Sequence, residues 1–279
     1  MGIVLGDNSY GKAETRLVFV DRAAPQHRIV DFNVTTALSG DLAATHLTGD
    51  NTDVLPTDSQ KNTVFAFARD GVGEPEDFAA RLARHFVESQ PAIRSATVDI
   101  ESYGWDRMTV GGAPAHHSFV RAAGTRTASV TYDGTLSVSS GITDLVVLNT
   151  TGSEFWGYPK DPYTTLAETK DRVLATAVTA RWRHRAGSDW AVSHAETLRL
   201  LLETFAEVHS LSLQQTLYAM GRRVLEEREE VAEIRLELPN KHHIPVDLSP
   251  FGLDNPGVVF HATDRPYGLI QATVTRDDA

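Results

Sequence analysis

The chain has 279 residues, 41% of them hydrophobic and 23% charged, so it can fill one large core or two domains of about 140 residues each. A formal net charge of -11 excludes a nucleic-acid binder that works by neutralising phosphates, although a local basic pocket for a small anion is still open to it. With no cysteine there are no disulfides, thiolate metal sites or cysteine nucleophiles.

No apolar run approaches membrane-spanning length. The opening MGIVLGDNSYGK has no charged region followed by an apolar core, and the closing TVTRDDA carries no peroxisomal tripeptide. The expectation is a cytoplasmic protein without membrane or nucleic-acid partners.

In chain order, Lys12 to Asp21 reads as a strand, with Val18 and Val20 on one face. His27 to Leu38 reads as a second, with Val30, Phe32 and Val34 aligned, and the short turn holding Pro25 makes the pair a hairpin. Leu42 to Leu47 predicts a further short strand. Pro56 to Asp58 supplies helix-start chemistry, with Val64, Phe65 and Ala68 following at helical spacing. Glu74 to Gln90 predicts a helix opened by Pro75, with Phe78, Leu82 and Phe86 at i, i+4, i+8. Period two returns at Ala96, Val98 and Ile100, and again at Ser118 to Ala123 and Thr127 to Tyr132.

The second half repeats this order. Leu136 to Leu148 and Val178 to Arg185 read as strands. Two capping boxes follow. Ser193 with Glu196 predicts a helix burying Leu198, Leu201, Leu202 and Phe205, and Ser212 with Gln215 predicts one burying Leu213, Leu217, Met220 and Val224. Val231 to Leu238 alternates cleanly, and Val258 to Ala262 and Gly268 to Arg276 close the chain. Each half thus reads strands, two helices, strands. The order predicts a duplicated α+β unit, with domains at 1–135 and 136–279 and sheet surfaces that oligomerisation would cover.

One stretch concentrates aromatic and turn residues. Ser153 to Arg172 holds Phe155, Trp156, Tyr158 and Tyr163 beside Gly157, Pro159 and Pro162, and reads as ending in a helix-like segment with Arg172. A flat ring and a guanidinium fork suit a small, planar, anionic heterocycle. From composition alone, corner packing is the commoner use of such residues.

Seven blocks carry a resemblance: YGK at Tyr10 to Lys12, TDSQKNT at Thr57 to Thr63, HSFVR at His117 to Arg121, SEFWGY at Ser153 to Tyr158, DPYTTLAETKDR at Asp161 to Arg172, LQQTLY at Leu213 to Tyr218 and LPNKHH at Leu238 to His243. In this order and spacing the chain resembles the cofactor-independent urate oxidases, or uricases, along essentially its whole length. The resemblance implies tandem tunnelling-fold (T-fold) domains, antiparallel sheets with paired helices on one face. It also implies a homotetramer enclosing a tunnel, with active sites at subunit interfaces. The implied reaction turns urate, O2 and water into 5-hydroxyisourate and hydrogen peroxide, with no metal or organic cofactor.

The resemblance also assigns residues. Phe155 is the expected stacking ring and Arg172 the grip on the pyrimidine side of urate. Gln214, with one acceptor and two donors, is expected to pair with the N1–H and C6=O edge, and Leu213 to contribute through its backbone. Relatives often carry valine at the Leu213 position. Backbone N–H groups at Thr57 and Asp58 suit the imidazole-side atoms of an anion. Lys12, Thr57 and His242 resemble a proton relay, and Asn240 the amide over the ring where dioxygen or water sits. Lys12, Thr57 and Asp58 are expected from one subunit, and the others from its neighbour. His116 and His117 are adjacent on a strand, point to opposite faces and cannot chelate one ion; Ala115 stands where relatives often have a histidine.

Two alternatives keep the fold and change the function. A zinc-dependent purine or pteridine enzyme needs three converging ligands, for which the sequence offers no evident trio. A non-catalytic purine-binding oligomer would not need Lys12, Thr57, His242 and Asn240 together.

Overall fold

The structure is a computed structural model that describes residues 2–185 and 187–277. The chain divides into two compact units, Met1–Gly141 with Arg183–Ala191, and Ile142–Trp182 with Val192–Ala279. Its strands follow one another in sheet order as they do in sequence.

In the first unit β1 (Thr15–Asp21), β2 (Arg28–Gly40), β3 (Ile93–Val110) and β4 (Ala113–Tyr132) pair antiparallel in turn. The alternation in β2 and β3 sends Phe32, Val34, Leu38, Ala96, Val98 and Ile100 to one face, all buried. Helix α3 (Pro75–Ser89) answers with Phe78, Leu82 and Phe86, each fully buried in the same cluster. Burying one such aromatic or leucine contributes roughly 1.5–3 kcal/mol, so the 3.6-residue stripe against the two-residue alternation holds this unit together. Helix α2 (Thr57–Arg69) adds Val64 and Ala68 to that core, while Phe65 is exposed.

The second unit has the same logic. Strands β6 (Leu174–His184) and β7 (Val231–Pro245) bury Leu174, Val178, Ile234, Leu236 and Leu238. Helix α4 (Trp190–Glu207) adds Leu200, Leu201 and Phe205, and α5 (Leu213–Glu227) adds Leu213, Leu217, Met220 and Val224. Strand β7 pairs antiparallel with β8 (Phe260–Thr275). Strand β5 (Leu136–Asn149) lies between β4 and β6 in sheet order.

Four local expectations are corrected. Ala43–Leu47 is a single helical turn, α1, not a strand: the Thr48 N–H donates to the Ala44 carbonyl and a His46 ring nitrogen bonds the Leu42 carbonyl, closing local bonds that a strand would leave open. Helix α4 begins at Trp190, not after Ser193. The Trp190 indole donates to Asp77 at 2.7 Å, while the Ser193 hydroxyl, inside the helix and buried, donates to Glu230 at 2.9 Å instead of capping. Its buried stripe therefore runs through Ser193, Thr197, Leu200, Leu201, Thr204 and Phe205, leaving Leu202 exposed.

The run before Arg172 is not helical, because Phe155 and Thr169 exchange both backbone hydrogen bonds, at 2.9 and 3.0 Å, and hold the chain extended. Finally, the paired runs at 118–132 and at 258–276 each belong to one long strand, β4 and β8. Register breaks at Tyr103/Trp105 opposite β4 and at Asn240/His242 opposite β8 interrupt the period of two that a sequence pattern depends on.

Candidate active site

In the second unit a cavity of about 610 Å³ is lined by Phe155, Arg172, Asn240 and His242, together with Leu166, Glu168 and Pro256 among others. Four residues placed on three separate sequence blocks thus share one wall.

The segment around Phe155 is clamped from two sides. Glu154 donates its N–H to the Ser210 carbonyl at 2.7 Å, and Ser210 donates to the Gly152 carbonyl at 2.9 Å. On the other side lies the Phe155–Thr169 bridge. Asp171, one residue before Arg172, accepts from the Thr151 hydroxyl at 2.8 Å and the Gly152 N–H at 3.1 Å. Phe155 and Arg172 are therefore held by the same frame. The ring of Tyr158 stacks on Phe155, with centroids 4.9 Å apart and planes 19° apart. Tyr158 is fixed in turn by its hydroxyl on the Leu166 carbonyl at 2.7 Å.

The Arg172 guanidinium stands 5.2 Å from the Phe155 centroid. Its Nε donates to the buried Ser153 hydroxyl at 3.2 Å. Among the described residues no carboxylate pairs with it. Burial lowers its pKa from the ordinary arginine value, and a guanidinium stays protonated regardless. The cavity thus presents a half-buried cation whose two terminal nitrogens are not engaged by an acidic side chain. An ion pair with Asp171 or Glu168, the bland use of Arg172, is not formed: Asp171 faces Thr151 and Gly152, and Glu168 accepts from the Gly157 N–H and pairs with Lys160.

Asn240 and His242 are two apart on β7, and both reach the cavity across the register break, Asn240 opposite Gly268 and His242 opposite Thr263. Such breaks re-aim side chains next to sites. Leu213 and Gln214 are the first two residues of α5, behind a Ser212 cap whose hydroxyl accepts from the Gln215 N–H at 3.2 Å. Leu213 is buried and Gln214 exposed, and neither lines the cavity. The start of α5 is nonetheless tied to the Phe155 frame, because Thr216 donates to the Ser210 hydroxyl at 2.8 Å.

Lys12, Thr57 and Asp58 lie in the first unit and do not line this cavity. Thr57 and Asp58 are the first residues of α2. Its cap position is Pro56, with no side-chain cap, so neither residue caps the helix. The Asp58 carboxylate takes hydrogen bonds from Lys61 and Asn62. It is held below the ordinary aspartate value, first by the hydrogen bond and charge of Lys61, with the charge of Lys12 adding to it. Lys12 is half-buried, and its backbone pairs with Thr36.

His116 bonds the Pro25 carbonyl at 3.3 Å through a ring nitrogen, and His117 lies 6.3 Å, ring to ring, from His27. Among the described residues no group of three or more His, Cys, Asp or Glu is arranged to hold a metal ion. No helix among them is long and apolar enough to cross a membrane.

Sequence reasoning missed Tyr158 as the support of Phe155, Ser153 as the partner of Arg172, and the wall at Pro256, Gly257 and Phe260. Ser153 and Tyr158 were within reach, since both belong to the SEFWGY block. The Pro256 wall had only a Pro-Gly pair as signal.

The uricase family profile matches residues 8–131 and 138–271. Over 278 residues the chain is 50% identical to the uricase of Arthrobacter globiformis, covering 99% of this chain and 91% of that protein. It is 35% identical to the uricase of Aspergillus flavus over 287 residues, with 96% and 95% covered. The crystal structure of the Arthrobacter globiformis uricase superposes with a TM-score of 0.96 at 49% identity, covering 100% of this chain and 97% of that one. With two tandem α+β halves, antiparallel strands and a match along nearly its whole length, this chain belongs to the uricase family.

Proposed function

We infer that the chain is a urate oxidase, taking urate, O2 and water to 5-hydroxyisourate and hydrogen peroxide. The atoms balance: urate gives two electrons and two protons to O2, forming peroxide, and water adds its oxygen at C5. The observation that carries this reading is the Arg172 guanidinium, free of any carboxylate among the described residues and set beside the Phe155 ring in the cavity of a uricase-family chain. A cation fork and a flat ring at right reach hold a planar anion by charge-assisted bonds and stacking.

In this reading Phe155 carries the purine ring and Arg172 grips its pyrimidine side. Gln214 pairs with the N1–H and C6=O edge, and Leu213 adds a backbone contact. Thr57 and Asp58 offer the N–H groups of a helix start to the imidazole side. Lys12 removes a proton through the Thr57 hydroxyl, with His242 passing protons onward, and Asn240 holds O2 or water above the ring. Deprotonated urate is itself the electron donor, so the protein supplies orientation, anion stabilisation and proton transfer. The residues fall in two groups, one on each unit, and a homotetramer that joins one group from one subunit to the other group from its neighbour would complete the site. A cytoplasmic location goes with this reading.

The test is the ultraviolet absorbance of urate in air with purified, chelator-treated protein, beside a peroxide assay. Loss of urate with matching peroxide is expected. Intact urate, or activity that returns only with added zinc, overturns the reading in favour of a metal-dependent purine or pteridine enzyme or a binding protein.

A further inference from the structure

The first unit contains a buried hydrogen-bonded chain that the reading above leaves unused. Gln60 is fully buried in the first turn of α2, three residues after Thr57, and Thr36 is 3% exposed on β2. A glutamine and a threonine enclosed this far must have their polar atoms engaged, and here they engage one another. The Thr36 hydroxyl donates to Gln60 Oε1 at 2.7 Å and accepts from the Lys12 N–H at 3.1 Å. The Thr36 N–H donates to the Lys12 carbonyl at 2.9 Å. Gln60 Nε2 completes the chain on the Leu55 carbonyl at 3.4 Å.

The roles in this chain are forced. The Thr36 hydroxyl has one proton, and its 3.5 Å approach to the Lys12 carbonyl is a poorer use of it than the 2.7 Å bond to Gln60. A reversed Gln60 amide would set two oxygens together at Leu55, so the orientation is fixed as well. Lys12 is thus held at both its N–H and its carbonyl by one residue. That residue is bonded in turn to the helix whose first position is Thr57. Gly11 permits the approach: a Cβ there would lie 1.7 Å from the Thr36 carbonyl oxygen.

We propose that Gln60 and Thr36 are positioning residues for the Lys12–Thr57 pair, locking the backbone that carries Lys12 to the first turn of α2. The inference rests on the assignment of Lys12 and Thr57 to proton transfer. A hydrogen-bonded relay depends steeply on donor–acceptor distance, and a shift of about 1 Å can cost roughly a hundredfold in rate. Neither Gln60 nor Thr36 touches the substrate in this scheme, and the urate-facing N–H groups of Thr57 and Asp58 belong to α2 itself, so loss of the lock displaces Lys12 and acts more on turnover than on affinity.

The experiment uses the full chain with Gln60→Leu, Thr36→Val, Thr36→Ser, Lys12→Met and the double variant of Lys12→Met with Gln60→Leu, each checked for native circular dichroism. Gln60→Leu and Thr36→Val are expected to lower kcat by roughly ten- to a hundredfold with little change in the KM for urate, and to displace the pH profile of kcat. Thr36→Ser keeps the hydroxyl and is expected to restore both. The double variant is expected to be no slower than Lys12→Met alone, since the lock has nothing left to position. If Lys12→Met loses turnover while folded Gln60→Leu and Thr36→Val keep wild-type kcat and pH profile, the inference fails and the relay stands. If Lys12→Met keeps full turnover, the relay assignment itself fails. A Gln60→Leu chain that does not fold leaves the contrast between Thr36→Val and Thr36→Ser to decide, and equal rates in those two overturn the proposal.

Discussion

The Arg172 guanidinium carbon stands 5.2 Å from the centre of the Phe155 ring, while its Nε donates to the Ser153 hydroxyl at 3.2 Å. That single bond leaves the two terminal nitrogens, which form the fork, turned to other use. Arg172→Ala is expected to weaken urate binding by about 2–4 kcal/mol, roughly 30- to 1,000-fold, as a bidentate charge-assisted contact is lost. Calorimetry with a non-reacting urate analogue reads this directly. Affinity equal to wild type would remove Arg172 from the site. Arg172→Lys is expected to recover only part of the loss, because an ammonium cannot make the two parallel bonds.

Gly11 is tightly enclosed, with the Thr36 carbonyl oxygen 1.7 Å from where a Cβ would stand. Because the neighbour is backbone and not a flexible side-chain end, Gly11→Ala must push the Tyr10–Lys12 segment off β2. It would break the bonds between Tyr10 and Leu38 and between Lys12 and Thr36. A loss of more than about 3 kcal/mol is expected. Urea unfolding measures it, and a variant within experimental error of wild type would mean the segment is not held as described.

Glu76 gives a pH dependence with a definite sign. Its carboxylate is fully buried, bonded to Arg126 at 2.7 Å and to the Ser140 hydroxyl. Burial raises its pKa, and outweighs the lowering by Arg126 and Ser140. A group whose folded value lies above its unfolded one contributes stability in full below the unfolded value and loses it as pH rises through the folded value. Wild type should therefore lose stability across that window, at up to about 1.4 kcal/mol per pH unit, and Glu76→Gln should not. Urea midpoints taken between about pH 5 and 8 should show the variant gaining on wild type as pH rises. Parallel curves would show that the ion pair with Arg126 outweighs burial.

Much of this fold could be read from periodicity. Phe78, Leu82 and Phe86, and Ala96, Val98 and Ile100, form the patterns they predict because both faces of the first core are regular. The pattern failed where tertiary bonds outweighed local chemistry. Ser193 looks like a cap, but the helix already begins at Trp190, whose indole is anchored on Asp77, and the Ser193 hydroxyl donates to Glu230 instead. Arg172 looked helical, but Thr169 was already paired to Phe155. The site residues were legible only through family-like blocks, since nothing about a lysine in a strand-like run or an asparagine after a proline announces chemistry. Gln60 is a different case: it stands four residues before Val64 and eight before Ala68, on the buried stripe of α2, but the spacing does not say what its amide meets, and only the bond from the Thr36 hydroxyl does.

The cavity wall offers the last prediction. Asn255 staples its own loop: Nδ2 donates to the Val246 carbonyl at 2.9 Å and the Val259 carbonyl at 2.7 Å, and Oδ1 accepts from the Val258 and Val259 N–H groups at 3.0 and 3.1 Å. The next two residues, Pro256 and Gly257, line the cavity that holds Phe155 and Arg172. No other side chain could make this set, because it needs two donors and one acceptor on a short stem. Asn255→Ala is expected to cost roughly 2–4 kcal/mol of stability, about 1 kcal/mol per bond lost. Because the loop borders the cavity without presenting a reacting group, the KM for urate should rise by a larger factor than kcat falls. Asn255→Asp keeps the acceptor half but sets an oxygen against the Val246 and Val259 carbonyls, so it should be worse than its shape suggests. Thermal melts and steady-state urate kinetics on both variants separate the two effects. A lowered melting temperature with an unchanged KM would show that the loop supports the fold without shaping the cavity.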